Sequence, residues 1–141
     1  MKLLRLLSSV AALALLLPLP ALAQSKAHRV LFALTSPDES DWNLTTGNIR
    51  NLIAGFAPEE VQVEVVVYGP GIVFLKSDTS AAADIKDLQS KHVRFAACAN
   101  SMRARHLTQP DLVPGAEVVP SGIVEVVRKQ EEGWTYIKAG R

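Results

Sequence analysis

Val93-Arg94-Phe95-Ala96-Ala97-Cys98-Ala99-Asn100-Ser101-Met102-Arg103 is the stretch on which the fold turns. Through Ala97 it reads as a buried strand. From Cys98 it reads as a turn that opens a helix. The same junction defines a chemical setting. Unpaired backbone N–H groups and the positive end of the helix dipole meet at the first turn. Both lower the pKa of a thiol and make it a better nucleophile. Ligands of open α/β sheets bind beyond the carboxyl ends of the strands, where Cys98 stands.

Working outward, the strand–helix alternation continues. Val30-Leu31-Phe32-Ala33-Leu34 is an unbroken apolar run, as in a strand covered on both faces. Ser36-Pro37-Asp38-Glu39 has the form of a capping box, with Ser36 at the cap and Pro37 at the first helical position. Behind it Ile49, Leu52, Ile53 and Phe56 share a helix face, and Gly55 and Pro58 mark the exit. Val61 to Val67 is a second strand. Ile72-Val73-Phe74-Leu75 is an apolar patch in an expected loop, read as a core contribution, a pocket lid or a subunit contact. Ala81, Ile85, Leu88 and His92 share the face of the next helix. Beyond Pro110, Glu117-Val118-Val119 is a short strand. Ser121-Gly122 leads a helix whose buried side is expected to hold Ile123, Val124, Val127 and Gln130. Trp134 to Lys138 is a last strand, expected as an edge strand of either direction. Strands alternating with helices predict an α/β domain with a mainly parallel five-stranded sheet and helices on both faces.

The N-terminus reads as an export signal. Lys2 and Arg5 form a basic start, Leu6 to Leu19 an apolar centre, and Ala21-Leu22-Ala23 a small-x-small cleavage site. Residues 1–23 are therefore expected as a cleavable signal peptide and 24–141 as one domain, with a periplasmic or secreted location. The apolar run is short of the roughly 20 residues a membrane span needs, so no stable insertion is expected after cleavage. Without Lys2 and Arg5 the chain keeps 13 basic and 14 acidic residues, a net charge of −1. That balance argues against a nucleic-acid partner. Cys98 is the one cysteine, so no internal disulfide forms and the domain must stand on its core.

Several segments, in order, resemble the DsrE/DsrF-like family. They are His28-Arg29-Val30-Leu31-Phe32, Gly47-Asn48-Ile49-Arg50-Asn51-Leu52, Val65-Val66-Val67-Tyr68-Gly69-Pro70-Gly71, Phe95 to Met102, Val118 to Glu125, and Gln130 to Lys138. The resemblance implies a three-layer α/β/α sandwich that assembles into homo-oligomers. Relatives of the DsrE and TusD type carry sulfur as a cysteine persulfide, and Cys98 occupies a position similar to their strand-end cysteine. The signal peptide departs from those cytoplasmic relatives, so the resemblance implies persulfide chemistry rather than their specific relay.

Cys98 carries two readings: a small buried residue at a strand end, or a thiolate that accepts and passes on sulfane sulfur. Asn100, Ser101, Asn48 and Gly69 are the candidate ligand-binding residues around it. Asn100 and Ser101 offer backbone N–H groups to an anion. Asn48 shares a helix face with Asn51. Gly69 lies in Gly69-Pro70-Gly71, which is not a phosphate-binding signature. Arg103 and Arg105 would add positive potential. His106 is eight residues beyond Cys98, about 12 Å along a helix, too far to act as its base. The three histidines have no metal-site spacing, so neither metal nor cofactor is expected. The sequence thus points to an exported protein handling sulfur species, its partner a donor or acceptor protein or a small sulfur compound. The alternative is a non-catalytic small-ligand or protein-binding module with a structural Cys98.

Overall fold

The computed structural model describes residues 27–140; the expected signal peptide lies outside them. Five strands, β1 (His28–Leu34), β2 (Val61–Val67), β3 (Arg94–Cys98), β4 (Glu117–Val119) and β5 (Thr135–Ala139), alternate with helices. The helices are α1 (Glu39–Phe56), α2 (Ala82–Ser90), α3 (Ala99–Ala104) and α4 (Gly122–Glu131). A 3-10 segment, Gly69–Leu75, follows β2, and a shorter one, Gln109–Asp111, precedes β4. All strand pairs are parallel, in the order β4-β3-β2-β1-β5. β5 is thus a parallel edge strand beside β1.

This order explains where the helices go. From β1 to β4 the chain steps across the sheet in one direction. Right-handed crossovers then put every connecting helix on the same face. From β4 it must return across the whole sheet to β5, which puts α4 on the opposite face. The two cores follow suit. On one face Phe32, Leu34, Val65 and Val67 of the strands pack with Trp42 and Ile49 of α1, Ile85 and Leu88 of α2 and Met102 of α3. On the other, Leu31, Ala33, Val66 and Ala96 meet Val126 of α4, flanked by Tyr68, Val119 and Trp134. The second core is small because one helix covers that face.

Three local expectations are corrected, and one left open is decided. The cap of α1 is Asp38, not Ser36, and the helix begins two residues late. Ser36 instead accepts the Asp38 N–H on its hydroxyl (3.2 Å) and the Trp42 indole N–H on its carbonyl (3.0 Å), which folds the entry turn onto the first helical turn. Of the readings open for the Ile72–Leu75 patch, the core contribution holds: Ile72, Phe74 and Leu75 are fully buried, and Phe74 lies between Trp42 (5.5 Å) and Phe95 (6.0 Å). A 3-10 turn tucks it into the larger core because Gly71 meets backbone at Leu34 and Thr35, 2.8 Å from where a Cβ would stand. His92 falls outside α2, exposed, in a left-handed turn (φ 64°) that redirects the chain into β3.

The third correction concerns α4. Ile123, Val124 and Val127 are 55%, 45% and 47% exposed, and the stripe that meets the sheet is Gly122, Val126 and Lys129. Periodicity finds the apolar stripe of a helix. Which stripe turns inward was decided here by fit, because a Cβ on Gly122 would come within 2.7 Å of the Tyr68 Cβ.

Candidate functional site

Cys98 ends β3 and is the N-cap of α3. It is 4% exposed. Next to it, β4 ends and Ser121 caps α4. α3 and α4 leave adjacent strands for opposite faces of the sheet, so their N-termini diverge and open a crevice between them. Such a reversal point at the carboxyl ends of the strands is where open α/β sheets bind ligands.

Two helix starts therefore face one sulfur. Cys98 closes no conventional capping hydrogen bond. Instead the Ser101 hydroxyl and the backbone N–H groups of Gly122, Ser101 and Asn100 bear on its thiol. Burial pushes that thiol up, but these four donors together outweigh burial and hold it below its ordinary value. The Ser101 hydroxyl is itself oriented: its oxygen accepts the Gly69 N–H at 2.7 Å, which leaves its proton for the sulfur. Gly69 has φ 58°, a left-handed conformation that suits glycine.

Four of the five expected site residues thus gather at this point: Cys98, Asn100, Ser101 and Gly69. Asn100 contributes its main chain, since its side-chain oxygen accepts from Arg103. Asn48 is not among them. It is exposed in the middle of α1, nine residues along a helix that starts near the carboxyl edge and runs away from it. His106 lies beyond the end of α3, exposed, in a left-handed turn (φ 55°). Sequence reasoning missed Gly122 and Tyr68. The signal was available in Pro120-Ser121-Gly122, a second strand-to-helix junction, but the strand order that makes it a neighbour of Cys98 was not.

Beside the thiol runs an open groove of ≈ 460 Å³ lined by Gly69, Pro70, Asn100, Ser101, Ala104 and Arg105. Another surface cavity, ≈ 410 Å³ between α2 and the Val113–Pro114 turn, holds no residue of the Cys98 cluster. Tyr68 packs against the start of α4, and burial raises its phenol, with a smaller contribution from Tyr136. No group of three or more His, Cys, Asp or Glu side chains suited to a metal ion occurs among the described residues. No helix of the described residues is long and apolar enough to cross a membrane.

The profile of the DsrE/DsrF-like family matches residues 28–139. Among solved structures, a protein of unknown function, MTH1491 from Methanobacterium thermoautotrophicum, is 40% identical, with a TM-score of 0.76 over 79% of this chain and 98% of that one. The ychN protein from E. coli is similar in fold, with a TM-score of 0.65 at 12% identity over the same shares of the two chains. Curated proteins give no significant match.

Proposed function

The chain belongs to the DsrE/DsrF-like family, and on that premise we propose that it handles sulfane sulfur, with Cys98 as the carrying thiol. One observation carries this reading: a single thiol faces the starts of two helices and is held below its ordinary value despite burial. The family as a whole is associated with sulfur relay, which gives that thiol a chemistry.

The transfer runs as two exchanges. The Cys98 thiolate attacks the sulfane sulfur of a polysulfide or thiosulfate. The donor's S–S bond breaks, and its electron pair leaves with the shortened polysulfide or with sulfite. Cys98 then holds a persulfide anion. An acceptor thiolate attacks the outer sulfur, and the Cys98 thiolate leaves. The sulfane sulfur moves with its oxidation state, so no outside oxidant is consumed. The N–H groups of Asn100, Ser101 and Gly122 stabilise the anion at each stage. Export and a periplasmic or secreted location belong to the same reading and rest on residues 1–23. Homo-oligomeric assembly, which the family resemblance implies, is also part of this reading, and the outward Ile123, Val124, Val127 and Tyr136 support it.

The second reading is a binding module in which Cys98 is structural, favoured by its 4% exposure. Intact mass after a polysulfide challenge separates the two. A gain of one sulfur, about 32 Da, on wild type but not on Cys98→Ser, reversed by reductant, supports the carrier. A thiol that takes no sulfur and resists alkylation until unfolding leaves the module.

A further inference from the structure

Glu64 is a charged residue in the middle of a valine strand, and it is 1% exposed. It points to the face covered by α4. Both nearby cations contact one carboxylate oxygen, Oε2: Arg94 Nη1 of β3 at 3.3 Å and Lys129 Nζ of α4 at 3.4 Å. Neither carboxylate oxygen has a hydrogen bond of normal geometry, so the attraction to Arg94 and Lys129 is ionic and is set against the cost of burying the carboxylate. The other charged groups around it are Glu125 and Glu132, both near Lys129, Glu117, paired with Arg94, and Arg29, which like Lys129 lies over the Trp134 ring.

The apolar attachment of α4 is thin. Its buried residues are Gly122 and Val126 alone. Gly122 meets Cys98 at one end of the inward stripe, and Lys129 meets Glu64 at the other. These residues are seven positions apart, about 10.5 Å along the axis.

We propose that Glu64 is a positioning residue for Cys98: through Lys129 it fixes α4, and so keeps the Gly122 N–H on the thiolate. This deepens the sulfur-carrier reading by naming what controls that thiol, and it rests on that reading only for its biological use.

The direction of the effect discriminates. Glu64 lies four residues before Tyr68 on β2, about 13 Å from the site along the strand. Through space alone, removing a negative charge favours the thiolate and lowers the thiol pKa. Loosening α4 withdraws a donor and raises it. The test is the pH profile of Cys98 alkylation by iodoacetamide in folded wild type, Glu64→Gln and Lys129→Arg. In Glu64→Gln the midpoint should rise, with about threefold to tenfold less thiolate at neutral pH. Lys129→Arg, which keeps the charge, should titrate as wild type. A midpoint that falls or stays in Glu64→Gln overturns the proposal. Should Glu64→Gln not fold, amide exchange in Lys129→Gln decides. Faster exchange within α4 with β1 unchanged supports the latch, and unchanged α4 exchange overturns it. Alkylation requires no sulfur transfer, so failure of the persulfide assay leaves this result standing, and failure of the latch leaves the assay standing.

Discussion

A Cβ built on Gly122 would stand 3.1 Å from the Cβ of Cys98. That contact is tighter than ordinary packing, and the Tyr68 Cβ, at 2.7 Å, closes the other side. The start of α4 approaches the cysteine this closely because residue 122 has no side chain.

Gly122→Ala is expected to push α4 off the sheet edge. Overpacking of this kind costs about 1–3 kcal/mol. The thiol should lose the Gly122 N–H and its pKa should rise. Chemical denaturation gives the first quantity, and alkylation against pH gives the second. An unchanged alkylation profile in a folded Gly122→Ala protein would remove Gly122 from the site.

Ser101→Ala removes a donor from Cys98 and the acceptor of the Gly69 N–H. A stability loss of about 1–2 kcal/mol is expected, with a higher thiol pKa and slower alkylation at neutral pH. Ser101→Thr, which keeps the hydroxyl, should recover most of the reactivity. Equal behaviour of the two variants would mean that the hydroxyl is not what acts on the thiol.

Asn48→Ala should leave Cys98 alkylation and persulfide loading at wild-type levels. Its side chain is exposed on mid-α1 and belongs to neither the thiol cluster nor the adjoining groove. A loading defect in a normally folded Asn48→Ala protein would contradict this geometry.

Phe74→Ala is expected to destabilise by about 3–5 kcal/mol, the cost of emptying an aromatic site in a packed core. The ring is fully buried between Trp42 and Phe95. A surface role for the Ile72–Leu75 segment would instead leave the melting temperature nearly unchanged.

Stability against pH should carry a signature of Glu64. Burial raises its carboxyl, while Lys129 and then Arg94 pull it down by less. With the folded pKa above the unfolded one, its contribution is complete below the unfolded value. It is lost as pH rises through the folded value. Glu117 acts in the opposite sense, lowered by its hydrogen bond from Arg94. The wild-type curve therefore mixes both. Subtracting the Glu64→Gln curve isolates the Glu64 part, which should fall with rising pH across the acid range; a difference curve that rises would reverse the assignment.

The alternation of strands and helices was legible in the residues, because both periods are local. Strands announce themselves as Val30–Leu34 and Val61–Val67, and α1 and α4 end just before the expected stops at Pro58 and Gly133. Cys98, with the backbone of Asn100 and Ser101, was also legible, since a strand-to-helix junction creates its own exposed N–H groups within a few residues. By itself, then, the sequence determined the α/β class, the number of strands and the thiol's position at a strand end. Tertiary structure alone decided the strand order β4-β3-β2-β1-β5, and with it that Gly122, 24 residues beyond Cys98, supplies the second helix start. It also decided which stripe of α4 faces inward, and so that Lys129 reaches Glu64. The physical reason is the same in each case. Period and capping depend on neighbours in the chain, whereas sheet order and helix rotation depend on sterics and charge between segments far apart in sequence.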